Sequence, residues 1–103
     1  MSTSTAARVR VAASPRPVPS TYCYAVVALR EPGVLPSIAN VLAKRGLVAH
    51  RIYANAVDAA ESEMHIDLQV SGLDTAQGLA VARDLGRVIG VRTVLTAERQ
   101  AAE

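Results

Sequence analysis

Few of the 103 residues are of the types that carry catalysis or hold metals: one cysteine, Cys23, two histidines, His50 and His65, and three tyrosines, Tyr22, Tyr24 and Tyr53. The histidines fall in strand-like runs and lack metal-ligand spacing, so each reads most simply as a structural or surface residue. A single cysteine excludes an internal disulfide framework and any multi-cysteine metal site. Cys23 lies in the apolar run YCYAVVAL and reads as a small core residue. Lys44-Arg45 closes a helical pattern, where the helix dipole favours positive charge, and reads as capping. No catalytic set and no metal site are therefore expected. The informative stretch is one without catalytic residues, REPGVLPSIANVLAKRGLVAHRIY, residues 30 to 53.

Its chemistry is that of binding. Gly33 has no Cβ, so the backbone can turn tightly there and a ligand or partner chain can approach closely. The helix that follows presents unpaired N–H groups and a partial positive charge at its N-terminus. Such a place suits a carboxylate, including that of an amino acid. Pro36 removes one of those donors, and Arg30 can pair with a carboxylate as a charge. The same Pro32-Gly33 pair also serves as a plain strand-to-helix turn.

The elements that position this loop follow from periodicity. YCYAVVAL, 22 to 29, is β-prone and almost wholly apolar, as a central strand would be. Val34, Leu35, Ile38, Val41 and Leu42 recur at helical spacing, with Pro36 near the start and Gly46 as the C-terminal cap. A second strand is predicted over 48–57 and a polar turn over 58–62. In EMHIDLQV, 63 to 70, Met64, Ile66, Leu68 and Val70 face the core, and Glu63, His65, Asp67 and Gln69 face away. Ser71-Gly72 breaks that strand. Asp74 or Thr75 caps a second helix, whose inner stripe is Leu79, Ala82, Leu85 and Ile89 and which Gly90 ends. The last strand is VRTVLT, 91 to 96. The order βαββαβ predicts an α+β ferredoxin-like sandwich, with a four-stranded antiparallel sheet and two helices on one face. Tyr53 is expected on the open sheet face with Arg51, Asn55, His65, Asp67 and Gln69, which is either plain solvated surface or a docking face for a partner.

Length and charge bound the rest. A chain of this size is one domain, and a small core often leans on a partner. Its core is expected to be aliphatic, because Phe and Trp are absent. Residues 1–20 hold Arg8, Arg10 and Arg16 and no acid, so the remainder carries a net charge of −1. The high isoelectric point thus belongs to the N-terminus and does not point to nucleic acid. Pro15, Pro17 and Pro19 favour an extended, unpacked segment, and the acid-free composition also resembles a transit peptide. No apolar run is long enough to span a bilayer.

Four tenants of the fold can be tested against residues. An RNA-recognition domain needs stacking aromatics, where the third strand offers His65, Asp67 and Gln69. A soft-metal chaperone needs a cysteine pair in its first loop, and residues 30–36 hold none. An acylphosphatase-type enzyme needs a phosphate-cradling loop, and none is recognisable around Arg30 and Asn55. The fourth fits: Pro32-Gly33-Val34-Leu35, Ile38, Leu42 and Gly46 match the first βαβ unit of an ACT domain, a small-molecule-sensing module. KRGLVAHRIYANAVDAAESEMHIDLQV, 44 to 70, resembles the regulatory small subunit of acetolactate synthase (acetohydroxyacid synthase), in its short form with a single ACT domain.

The resemblance covers roughly residues 22–97. It implies an ACT domain over 21–97, flanked by a disordered extension, 1–20, and a short tail, 98–103. It implies a cytoplasmic, non-catalytic subunit, homodimeric in the family's manner, that activates a large catalytic chain. Thiamine diphosphate, Mg and FAD would belong to that partner and no cofactor to this chain. An amino-acid effector would lie between one chain's loop and the start of the second strand of a partner chain. The matching positions here are Arg30, Glu31, Gly33, Val34, Leu35, Val48 and Ala49. Two of them depart from valine-responsive subunits, which carry Asn or Asp where this chain has Arg30 and Asn where it has Val48. Feedback by valine is therefore expected to be weak or absent. The alternatives are a stand-alone amino-acid-binding module or a small enzyme on the same fold.

Overall fold

The computed structural model describes residues 20–56 and 62–100. Its elements are β1 (Ser20–Leu29), α1 (Val34–Lys44), β2 (Arg51–Ala56), β3 (Glu63–Leu73), α2 (Thr75–Gly86) and β4 (Val91–Gln100). The strands form one antiparallel sheet in the order β2-β3-β1-β4. This is the predicted βαββαβ ferredoxin-like sandwich. The expected extension, apart from Ser20, and the 58–62 turn, apart from Ser62, lie outside the described residues. The sheet itself takes in Ser20 and residues 98–100, which the expected domain boundaries left out.

The apolar run of β1 divides between two faces, because side chains alternate along a strand. Tyr22, Tyr24, Val26 and Ala28 are buried with Ile66, Leu68, Val70 and Leu73 of β3, so two tyrosine rings join a core expected to be aliphatic. Cys23 is half-buried on the opposite face, not in the core as its apolar surroundings suggested. Above this floor lie Val34, Ile38 and Leu42 of α1, and Val81 and Leu85 of α2. Each such side chain contributes about 1.5–3 kcal/mol on burial.

Several boundaries differ from the sequence reading. β2 begins at Arg51, and 48–50 run into it without pairing as strand. Ser71-Gly72 does not break β3. The register shifts there between Ser20 and Thr21, Gly72 adopts φ +81°, and the strand continues to the buried Leu73. The inner stripe of α2 is Gly78, Val81 and Leu85, with Ala82 partly buried. Leu79 is 50% exposed, and Ile89, 91% exposed, lies beyond the helix end. The helix is turned this way because Gly78 faces Tyr22: a Cβ at Gly78 would run into the Tyr22 ring. The Tyr24 hydroxyl donates to the Gly78 carbonyl at 2.7 Å, holding the helix against β1.

Both predicted caps form. Asp74 accepts from the Gln77 N–H at 2.8 Å, and the Gln77 side chain accepts from the Asp74 N–H at 3.0 Å, a closed capping box. At the end of α1 the Gly46 N–H donates to the Ala43 carbonyl and the Leu47 N–H to the Leu42 carbonyl. This double bond pattern, with Gly46 at φ +69°, is a Schellman cap. Arg45 reaches across to Asp84 at 2.7 Å, joining the two helices at their surface.

Candidate functional site

The loop from Arg30 to Leu35 joins β1 to α1. Leu29 is held by its N–H bond to the Gly90 carbonyl, and Arg30 donates from its backbone to Ser62. Gly33 caps α1 with φ −82° and ψ −9°, a conformation open to any residue. The turn therefore does not require glycine, contrary to expectation. A Cβ built at Gly33 meets nothing within 4 Å, so the absent side chain leaves open space over the helix start.

The helix N-terminus offers fewer donors than its position suggests. The Val34 N–H already donates to the Glu31 carbonyl at 3.2 Å, and residue 36 is proline. Among the described residues, no backbone bond takes the Leu35 N–H, and the Leu35 side chain is 36% exposed. The Ser37 hydroxyl turns inward to donate to the Gly33 carbonyl at 2.8 Å. What remains at the positive end of the helix dipole is the Leu35 N–H, with the N–H of the exposed Gly33 likewise outside the backbone bonds.

Val48 and Ala49 stand at the other end of the sheet. The His50 N–H donates to the Gln69 carbonyl at 2.6 Å, and Gln69 lies opposite Cys23. Leu29, which leads into the loop, lies opposite Glu63. From Cys23 to Leu29 is about 20 Å along a strand. One chain therefore does not bring Arg30, Glu31, Gly33, Val34 and Leu35 together with Val48 and Ala49. Val48 is 84% exposed, while Ala49 packs against the core edge. A site using both groups needs a second copy of the chain.

The open face of the sheet does assemble its expected residues. Pairing sets Tyr53, Asp67, Ala25 and Leu95 in one row across the four strands, and Arg51, Gln69, Cys23 and Ala97 in the next. Asn55 and His65 continue it beside Val27 and Thr93. Tyr53 on β2 and Leu95 on β4 stand 55% and 71% exposed as two walls. Between them small residues of β1 form the floor of two adjoining shallow hollows, of 350 and 400 Å³. Sequence reasoning found the polar members of this face and missed Cys23, Ala25, Val27, Leu95 and Ala97. The signal for them was the same alternation, obscured because β1 is apolar on both faces.

One titration is displaced from its ordinary range. Burial, reinforced by the neighbouring Tyr22, pushes the Tyr24 hydroxyl up to about 12. This group belongs to the core beneath α2. Among the described residues, no three His, Cys, Asp or Glu side chains group as metal ligands, and no helix is long and apolar enough to cross a membrane.

Solved structures share this arrangement. The ACT domain from the GTP pyrophosphokinase of Chlorobium tepidum superposes with a TM-score of 0.64 at 22% identity, over 75% of this chain and 96% of that one. An uncharacterised protein from Thermotoga maritima matches with a TM-score of 0.63 at 20% identity, over 78% and 96% of the two chains. The C-terminal domain of the MgtC protein from Mycobacterium tuberculosis gives 0.62 at 14% identity, over 87% and 98%. No protein-family model matches the sequence, and no curated protein matches it. At these identities the likeness is one of fold: the chain has the ferredoxin-like fold of an ACT domain.

Proposed function

We propose that this chain is a non-catalytic regulatory subunit that binds and activates the catalytic subunit of an acetolactate synthase in cytoplasmic branched-chain amino acid biosynthesis. The observation that carries the reading is the free Leu35 N–H beside the open Gly33 at the start of α1. It falls where the sequence resembles the effector loop of that family's small subunit, on the fold of an ACT domain. The chain would contribute binding energy and no chemistry. Thiamine diphosphate, Mg and FAD belong to the catalytic partner in this reading. Activation then follows from binding the competent conformation of that partner better than its alternatives, which shifts the population toward it.

The effector class is a free amino acid, its carboxylate against the Leu35 N–H and the helix dipole. The remainder of the site comes from residues 48 and 49 of a second copy, because the two halves lie at opposite ends of one chain. Val48 offers no hydrogen bond to the ligand's polar groups. An unpaired polar group costs about 1–3 kcal/mol, so valine binds weakly and feedback is slight or absent.

The test mixes this protein with a purified catalytic subunit from the same organism and titrates valine. The protein alone should form no acetolactate, the mixture should exceed the catalytic subunit alone, and valine should inhibit weakly. Arg30→Asn together with Val48→Asn should increase valine sensitivity. Absence of activation with every cognate catalytic subunit would overturn the regulatory reading, and strong valine inhibition of the unaltered complex would overturn only the role given to Val48.

A further inference from the structure

The open sheet face has the form of a surface that fits itself, and we infer that a second copy of this chain covers it, face to face, about a two-fold axis running across the strands between the Tyr53 and Arg51 rows. The face carries two wide apolar walls, a floor of small residues, and charges of both signs. Asp67 makes no ion pair among the described residues, although Arg51 lies on the neighbouring strand one row away. Both partners of a charge pair are thus displayed on one surface without being used on each other. This balance fits neither nucleic acid nor an anionic membrane, which call for a basic face.

The register follows from the rows. An axis midway between them exchanges them, so that Leu95 of each copy lies over Ala97 of the other and Ala25 over Cys23. Large side chains then meet small ones. Tyr53 lies over Arg51, a favourable ring–guanidinium contact. Asp67 lies over Gln69, with the other copy's Arg51 one strand away, about 5 Å laterally and within its reach. Other registers fail. Laying the Tyr53 row on itself sets Asp67 against Asp67, and an axis along the strands sets Asp67 on Ala25, burying a carboxylate without a partner. Packed sheets lie about 10 Å apart and adjacent rows about 7 Å, which brings the two Cys23 thiols within about 8–9 Å.

This interface does not depend on which enzyme the chain serves. It is also distinct from an edge-to-edge dimer through β2, in which the Cys23 residues would stand about 24 Å apart, five strand spacings. Cys23 is the only cysteine, so the unaltered protein carries its own probe. A bismaleimide with a spacer of about 8 Å, added to the native full-length chain, should give a covalent dimer, and should give none when the chain is unfolded in urea before the reagent is added. Arg51→Glu should weaken this association by about tenfold or more, because two attractive pairs become repulsive. Arg51→Glu combined with Asp67→Arg should restore it, while thermal midpoints show that all variants are folded. Lack of cross-linking at concentrations where the chain sediments as a dimer or larger, or strict monomer behaviour, would overturn the inference. So would cross-linking that the Arg51→Glu change leaves untouched. Activation of a catalytic subunit by a Leu95→Glu variant that no longer cross-links would separate this interface from the regulatory role.

Discussion

Replacing Gly78 with alanine should destabilise the protein, although helix propensity alone favours the change by about 1 kcal/mol. The new Cβ would fall on the edge of the Tyr22 ring. That ring has nowhere to go: Tyr22 is buried and stacks on Tyr24, with centroids 6.2 Å apart and planes 22° from parallel. Moving α2 outward instead would stretch the 2.7 Å bond from the Tyr24 hydroxyl to the Gly78 carbonyl. Overpacking of this kind costs about 1–3 kcal/mol, and an overlap with a fixed ring lies at the upper end. Net of propensity, the loss is about 2 kcal/mol, or about 8–16 °C in thermal midpoint for a domain of this size. Gly86, at the exposed end of the same helix, supplies the control, since a Cβ there meets nothing within 4 Å. Gly86→Ala should stabilise by about 0.5 kcal/mol. Thermal and urea unfolding of both variants measure the contrast, and Tyr22→Leu should relieve the Gly78→Ala penalty by at least about 1 kcal/mol in a double-mutant cycle. A Gly78→Ala protein as stable as the parent would refute the close approach of α2 to β1.

Three further outcomes follow from the same packing and loop geometry. Tyr24 is ordinarily acidic near 10 and is raised to about 12 in the fold, so the native state holds its proton more tightly. Its contribution is therefore complete below about pH 10 and is lost as pH rises toward 12; it amounts to about 1–2 kcal/mol after screening, and Tyr24→Phe should flatten that part of a urea-midpoint profile. Gly33→Ala should leave the thermal midpoint within about 0.5 kcal/mol, because neither φ nor space demands glycine, yet it should weaken amino-acid binding by calorimetry if a ligand uses the open space over α1. The chain should also dimerise through the β2 edge at tens of micromolar (about the range of a modest interface), with sedimentation showing only monomer as the contrary result; pairing along that edge is what would bring one loop toward the other copy's Val48.

What the sequence determined by itself is the order of elements and the capping residues of the two helices. The strict alternation of EMHIDLQV set the inner and outer faces of β3, and Asp74 or Thr75 at the start of α2 and Gly46 at the end of α1 marked helix ends through local hydrogen bonds that need no tertiary context. The PGVL loop was legible for the same reason, as were the polar residues Arg51, Tyr53, Asn55, His65, Asp67 and Gln69 of the open face. Only the tertiary structure decided the rest. A strand apolar on both sides, such as YCYAVVAL, carries no period from which to choose a face, so Cys23 went to the open surface only when Tyr22 and Tyr24 were taken by α2. The close approach at Gly78 decides the inner face of α2, turning Gly78 and Val81 inward with Leu85 where the apolar pattern favours Leu79. The two halves of the proposed effector site each lie in a readable segment. Their separation by the length of β1 is a property of the sheet, and it makes the site a matter of how two copies meet, which no local pattern in one chain encodes.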